Sequence, residues 1–317
     1  MNRCSLGFSL NDLYRSIGIS KQAIHQYSRR QKQFDEKVGM LITEVEELRS
    51  EHPGCGVEKI YYTLKPAFIG RDRFIDLLMD LGYRIRYKEN YRRTTYSSPH
   101  SKYLNLIEGM LLSGPNQVWQ SDITYIRIKD RFYYAVFIID VYTKKLVGYN
   151  VSDSMRATAN VRALKMSTIN KRWPLIHHSD RGGQYIYKPY IKMLKSNNVN
   201  ISMGLTAMDN AYAERINQTI KREYLDYWKP QSFNALKKQM AKAVKNYNTK
   251  RIHNNIGRKT PQQFEEHILA LPIHDRPLAT IYTNGQHKME GTLSPLPSYT
   301  RQNLKAQICP IFNYGIN

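Results

Sequence analysis

Three carboxylates stand out in this sequence because of where they fall. Asp122 sits in the middle of an alternating run, Val118 to Ile126, that reads as a strand. Asp180 follows a short strand-like run, Leu175 to His178, and precedes Gly182-Gly183. Glu214 falls in the first turns of a long helical pattern that begins near Asp209. Strand ends and the helices beside them are where an open α/β sheet collects its site. Hard oxygen ligands, with no cysteine nearby and few useful histidine pairs, favour Mg²⁺ or Mn²⁺ over Zn²⁺. Lys221 lies seven residues beyond Glu214, which on a helix brings it back to within about 20° of the carboxylate. That pair suits a metal–phosphate site, with one group holding the ion and the other reaching a phosphate. Taken singly, each group has a plainer reading: a surface ion pair or solvated face for Glu214 and Lys221, a structural hydrogen bonder for Asp122.

Neighbouring groups compete for these roles. On the Glu214 helix, Ile216, Ile220, Tyr224 and Tyr227 are expected to form the packed stripe, with Asn217, Gln218 and Lys221 on the Glu214 face. Glu223 is the nearest rival carboxylate, but on a helix it is rotated about 180° from Glu214. His177 and His178 are read as packing groups in preference to zinc ligands or general bases. Ser179 has no His/Asp partner arrangement, so nucleophilic serine chemistry is not expected.

The elements that must position these groups show as changes of period. Val118–Ile126, Phe132–Val141 and Lys145–Val151 read as an antiparallel meander, joined by turn signals at Lys129-Asp130 and Tyr142-Thr143-Lys144. A helix over 156–170, a strand at 175–178, a helix over 187–197 and a strand at 199–203 follow. That order predicts an α/β fold with a mixed sheet. Upstream the pattern is helical. Leu10, Leu13, Tyr14 and Ile17 line one helix face, Gly18 supplies a turn, and Ser20 caps a second helix over Lys21–Arg30. Ile24 and Tyr27 are expected to pack inward. Lys21, Gln22, His25, Gln26, Arg29 and Arg30 then point outward, as in a helix-turn-helix that meets base edges and phosphates. A further helix with an acidic outer face is expected over 33–52, and another pair over Val57–Leu64 and Arg71–Leu81, broken at Pro66 and stopped by Gly82. The basic, aromatic stretch from Arg84 through Arg92 and Arg93 reads as a linker able to lie along a phosphate backbone.

Lys and Arg number 48 against 26 Asp and Glu, a net charge of +22. The excess is spread along the chain, +5 in 1–100, +7 in 101–214 and +10 in 215–317. A field of one sign and this size points to a polyanion as partner. With 24 Tyr and 9 Phe the chain is too aromatic for a disordered polycation. No apolar run approaches the ~20 residues of a transmembrane helix. No apolar segment follows the first residues as a secretory signal requires. Cys4, Cys55 and Cys309 are scattered, which excludes a disulfide framework or a cysteine-built zinc cluster and suits a reducing compartment. A soluble protein of the cytoplasm with no membrane partner is expected.

Four separated segments add a resemblance. They are VWQSDITYIRIKDRFYYAVFIIDVYTKKLVGYNV (118–151), HHSDRGGQY (177–185), MDNAYAERINQTIKREY (208–224) and YNTKRIHNNIGRKTPQQF (247–264). In this order they resemble the integrase core of bacterial insertion-sequence transposases, in particular the insertion-sequence 3 family, which is related to retroviral integrases. The resemblance covers residues 57–268. It implies an RNase H-like mixed-sheet core preceded by all-α helix-turn-helix segments. By position it matches Asp122, Asp180 and Glu214 to the family's DDE triad, and Lys221 to the basic residue that follows the glutamate. It further implies two divalent ions, Mg²⁺ or Mn²⁺, and in-line attack on phosphodiesters by water and then by a DNA 3′-hydroxyl. The partners implied are double-stranded DNA, as terminal inverted repeats and target, and further copies of the chain assembled on it, in a bacterial cytoplasm at the nucleoid. Arg251 and His253 are expected to bind DNA or brace the core, and Asp140, in a family strand motif outside the triad, is read as structural.

The organisation expected is a helix-turn-helix at 1–32, a second helical region with basic linker at 33–98, the catalytic core at 110–268 and a tail of unassigned role at 269–317. Two features depart from the family. Residues 181–213 separate Asp180 from Glu214, a spacing shorter than usual, and Gly204–Asn210 replaces a loop commonly richer in glycine and asparagine. Paired His and Cys ligands like those of the retroviral zinc-binding domain are absent. Two other readings stay open: a DNA-binding regulator with an inactive core, and a nuclease of the same fold that cuts without joining. The intact triad with Lys221 argues against the first, and the recognition helices against the second.

Overall fold

The computed structural model describes residues 9–85, 102–204 and 207–281, and the chain divides into two units, Met1–Arg86 and Tyr87–Asn317. In the first unit lie α1 (Leu10–Ser16), α2 (Lys21–Glu51), α3 (Val57–Leu64) and α4 (Arg71–Asp80). The local signals act as expected. The Ser9 and Ser20 hydroxyls accept the N–H groups of Asp12 and Ala23 as N-caps. Gly82, at φ +86°, lets its own N–H and that of Tyr83 close onto the Met79 and Leu78 carbonyls.

Two expectations are corrected here. The break between Arg30 and a helix at 33 does not occur, and α2 runs unbroken for 31 residues. Gln31-Lys32-Gln33 contains no glycine, proline or cap, and the Gln31 amide donates to Asp35 one turn on at 2.8 Å. Nor do the first helices close a core of their own. Leu10, Leu13 and Ile17 are more than half exposed, Tyr27 is 69% exposed, and Tyr14 and Ile24 are only half-buried. The unit's core lies instead under the second half of α2, where Leu41 and Val45 meet Ile60, Phe74 and Leu78.

The second unit contains β1 (Leu111–Leu112), β2 (Val118–Ile128), β3 (Arg131–Asp140), β4 (Leu146–Ser152), α5 (Thr158–Ser167), β5 (Ile176–Ser179), α6 (Lys188–Lys195) and β6 (Asn200–Met203). It continues with α7 (Ala211–Ile220), α8 (Asp226–Trp228), α9 (Phe233–Thr249), α10 (Pro261–Ala270) and β7 (Ala279–Thr280). Five strands form one sheet in the order β4-β3-β2-β5-β6. β2, β3 and β4 are antiparallel neighbours, while β5 runs parallel to both β2 and β6. This is an RNase H-like mixed sheet with helices on both faces. One face packs Ala135, Phe137 and Ile139 of β3 against Ile216, Ile220, Leu236 and Met240 of α7 and α9. The other packs Val136 and Ile138 against Leu164 of α5 and Tyr190 and Leu194 of α6. β3 is thus buried on both sides, which its dense apolar run requires. Gly148 permits the close approach of α5, since a Cβ there would lie 2.5 Å from the Ala163 carbonyl oxygen. Asp140 is structural, its buried carboxylate accepting from the Asn116 and Thr143 N–H groups and the Thr143 hydroxyl.

Candidate active site

Strand register sets two carboxylates side by side. Ser121 pairs with Ser179 across the parallel β2–β5 ladder, so Asp122 lies next to Asp180, the first residue beyond β5. Asp122 Oδ1 accepts the Ile123 N–H at 2.8 Å, and Oδ2 accepts Asn217 Nδ2 of α7 at 2.7 Å. The Gly182 N–H donates to Asp180 Oδ1 at 3.0 Å, and a Cβ on Gly182 would come within 3.0 Å of that oxygen. A side chain at this position would therefore crowd the aspartate that its N–H holds.

Electrostatics tie the third carboxylate and the lysine to this pair. Burial first, then the Asp180 and Glu214 charges, push Asp122 up to about 7 against the Ile123 N–H and Lys221. Burial raises Asp180, with the Gly182 N–H opposing. Burial and then Asp180 raise Glu214. Burial lowers Lys221, opposed by Asp226 and Asp122. Asp122 thus feels Asp180, Glu214 and Lys221, and Glu214 feels Asp180. Among the described residues no three His, Cys, Asp or Glu side chains are gathered tightly enough to cage a single ion.

Other predicted residues fall elsewhere. Beyond α7 the helix widens into a π turn, Lys221–Leu225. Tyr224 is buried as expected, while Leu225 is buried and Tyr227, expected in the packed stripe, is left 41% exposed by the change of phase. Glu223 is removed from contention: its carboxylate is buried and takes both Arg251 Nε at 2.7 Å and Nη2 at 2.6 Å. Of the two roles expected of Arg251, binding DNA or bracing the core, that pairing favours the second, since the guanidinium is buried and bonded to Glu223. His253 is half-buried, its ring 3.0 Å from Arg251 Nη1 and edge-on to Tyr247. Lys21, Gln22, His25, Gln26, Arg29 and Arg30 are all exposed on the first turns of α2. Arg92 and Arg93 lie outside the described residues. His177 and His178 are buried, bonded to Tyr190 and Ser202.

Sequence reasoning assigned Asn217 no partner and missed Gln120 altogether. The available signal was a run of polar residues on one face of an apolar strand, Gln120, Asp122 and Thr124, all at least half-buried.

Comparison with known proteins places the chain. Integrase core domain families match residues 113–207 and 198–261. The chain is 32% identical over 192 residues to the transposase for insertion sequence element IS904 of Lactococcus lactis, covering 59% of this chain and 74% of that protein. It is 33% identical over 172 residues to the Escherichia coli transposase InsF for insertion sequence IS3fB, covering 52% and 60%. The chain belongs to the insertion-sequence 3 family of transposases. It is a DNA transposase, a polynucleotidyl transferase of the DDE type. Within the family's reach also lies a 31 kDa protein of insertion element IS600 from Shigella sonnei, 29% identical over 79% of this chain and 96% of its own length. Among solved structures, the chain is similar to a simian T-cell lymphotropic virus intasome (TM-score 0.49, 15% identity, 80% of this chain and 76% of that one). It is also similar to the HTLV-2 integrase catalytic core (TM-score 0.41, 20% identity, 48% and 97%). No helix among the described residues is long and apolar enough to cross a membrane.

Proposed function

We propose that Asp122, Asp180 and Glu214 are the transposase's catalytic carboxylates, and that Lys221 sits on the DNA backbone beside them. The observation that carries this reading is geometric: strand register sets Asp122 beside Asp180, and Asn217 of the Glu214 helix donates to Asp122 at 2.7 Å, with all three carboxylates raised. Such a set is short of positive charge, and its all-oxygen donors fit Mg²⁺ or Mn²⁺. Asp122, Asp180 and Glu214 would hold two such ions, with water and DNA phosphate oxygens as the further donors. When bound, the metal supplies Lewis-acid polarisation of the phosphoryl oxygens and a water acidic enough to attack.

The chain's own residues do the rest. Asn217 and the Ile123 N–H fix the Asp122 carboxylate, and the Gly182 N–H fixes that of Asp180. Lys221, on the Glu214 helix, holds a backbone phosphate in register for in-line attack, first by water at an element end and then by the freed 3′-hydroxyl on target DNA. The exposed α2 residues Lys21, Gln22, His25, Gln26, Arg29 and Arg30 recognise the terminal inverted repeats, with Arg92, Arg93 and His253 adding contacts. Copies of the chain assembled on DNA bring two ends together, in the cytoplasm at the nucleoid. The functional division follows 1–32 and 33–98 for recognition, 110–268 for chemistry and 269–317 for a tail of unassigned role.

The test is incubation with labelled terminal-repeat DNA and Mg²⁺ or Mn²⁺. Joined products that vanish in Asp122→Asn, with DNA binding retained, are expected. Binding without any chemistry in the wild type overturns the reading in favour of a regulator, and cutting without joining in favour of a nuclease.

A further inference from the structure

Gln120 occupies a position in the central strand where an apolar side chain is the rule, and it is fully buried. Both ends of its amide are used. Nε2 donates to the Asp209 carbonyl at 3.0 Å, and Oε1 accepts the Ala213 N–H at 3.4 Å. Ala213 is the third residue of α7, and the N–H at that position is one an N-cap side chain ordinarily satisfies. Here the cap residue, Asn210, makes no such bond, and its Nδ2 donates instead to the Ser121 carbonyl at 3.0 Å. The helix is therefore capped from a different element, by a strand residue distant in sequence.

We propose that Gln120 is a positioning residue for strand transfer: by capping α7 from β2 it fixes Glu214 relative to Asp122. The proposal rests on the assignment of those two carboxylates to catalysis. Gln120 and Asp122 share one face of β2, and Ala213 is the residue next to Glu214. The amide thus bridges the two carboxylate-bearing elements close to both functional groups. Apolar packing of Ile216 and Ile220 holds α7 against the sheet but is non-directional. Asn217 ties the helix to Asp122 and Asn210 ties its cap to Ser121, while of the three amides Gln120 alone bonds the backbone N–H beside Glu214. Hydrogen bonds are directional and set the position of that backbone. A restraint is needed here because Asp122, Asp180 and Glu214 repel one another. Burying an amide in a strand is unfavourable unless both of its ends are bonded, as they are here.

The test uses the full chain carrying Gln120→Met, which keeps size and loses both bonds, and Gln120→Asn, which keeps the amide but shortens its reach. With Gln120→Met we expect DNA affinity within about twofold of wild type and a single-turnover joining rate at saturating DNA and Mg²⁺ lower by about ten- to a hundredfold. Amide hydrogen exchange should quicken at the first turn of α7 and stay unchanged in the sheet. Gln120→Asn, one methylene shorter, cannot reach both partners from the same strand position, and its joining rate should fall in the same direction with DNA affinity retained. A folded Gln120→Met that joins at the wild-type rate overturns the proposal. If that variant does not fold, a wild-type joining rate in Gln120→Asn overturns it. Asp122→Asn run in parallel separates the two failures: joining retained there overturns the carboxylate assignment and this inference with it. Loss there beside a wild-type rate in Gln120→Met overturns only the role of Gln120.

Discussion

His177 and His178 stand just before Asp180 on β5, with His177 Nε2 2.9 Å from the Tyr190 hydroxyl and His178 Nδ1 2.8 Å from the Ser202 hydroxyl. Burial, and for His177 the neighbouring His178, lowers His177 to about 3. Burial lowers His178 to about 4, with Asp209 opposing. Because both values fall below the unfolded value of 6.5, the unfolded chain binds more protons between the two limits. Their contribution to stability is therefore complete above pH 6.5 and is lost as pH falls toward 4. Each histidine adds a slope of up to about 1.4 kcal/mol per pH unit in that window. The raised carboxylates Asp122, Asp180 and Glu214 titrate with the opposite sign, so the informative quantity is a difference between proteins. Urea unfolding between pH 5 and 6.5 should show a shallower loss in His177→Gln and His178→Gln than in wild type. Equal slopes would sink the claim that these imidazoles are held neutral. At this scale the carboxylates were legible because their position on strand and helix is periodic. The partners of Gln120 and Asn217 were not, since a buried amide is satisfied by whatever element the fold brings over it.

The helix that carries Glu214 shows what element-level reading can and cannot reach. Its α-helical period holds through Ile220, which is why the Glu214–Lys221 spacing was readable, and then gives way to the π turn Lys221–Leu225. Nothing in the local sequence forces that turn, but a buried partner is found inside it: Glu223 meets Arg251, just beyond α9, through two bonds of 2.7 and 2.6 Å. Removing one partner leaves the other charge buried and alone, so Glu223→Ala or Arg251→Ala should each lower the unfolding free energy by about 3–5 kcal/mol. Glu223→Leu with Arg251→Met replaces both charges by apolar groups of similar size and should recover most of that loss. Chemical denaturation of the three variants decides it, and a double variant no more stable than the singles would refute the account. The unbroken α2 is a converse case. The expected gap between Arg30 and residue 33 holds no cap or breaker, and the backbone, which obeys only those, runs through it.

At the scale of the whole molecule, the net charge of +22 treats every cation alike, and the structure does not. Arg29 and Arg30 are exposed on α2, while Arg251 is buried against Glu223. Sequence composition therefore named the polyanion but could not say which charges reach it, because burial and pairing depend on the fold. Binding to DNA should weaken with salt along a log–log line whose slope is about −0.9 for each phosphate neutralised. Each of Arg29→Gln and Arg30→Gln should flatten that slope by about one unit, on terminal-repeat and unrelated DNA alike, where the side chain meets phosphate. A loss confined to terminal-repeat DNA, with the slope on unrelated DNA intact, would instead mark a base contact. The Glu223→Leu, Arg251→Met double variant also removes an arginine, yet it should leave the slope at the wild-type value, because the guanidinium it deletes never left the core. Fluorescence anisotropy titrations from about 50 to 200 mM salt read all of these slopes in one series. A flattened slope in the double variant would return Arg251 to the DNA-binding surface and overturn its assignment as a brace.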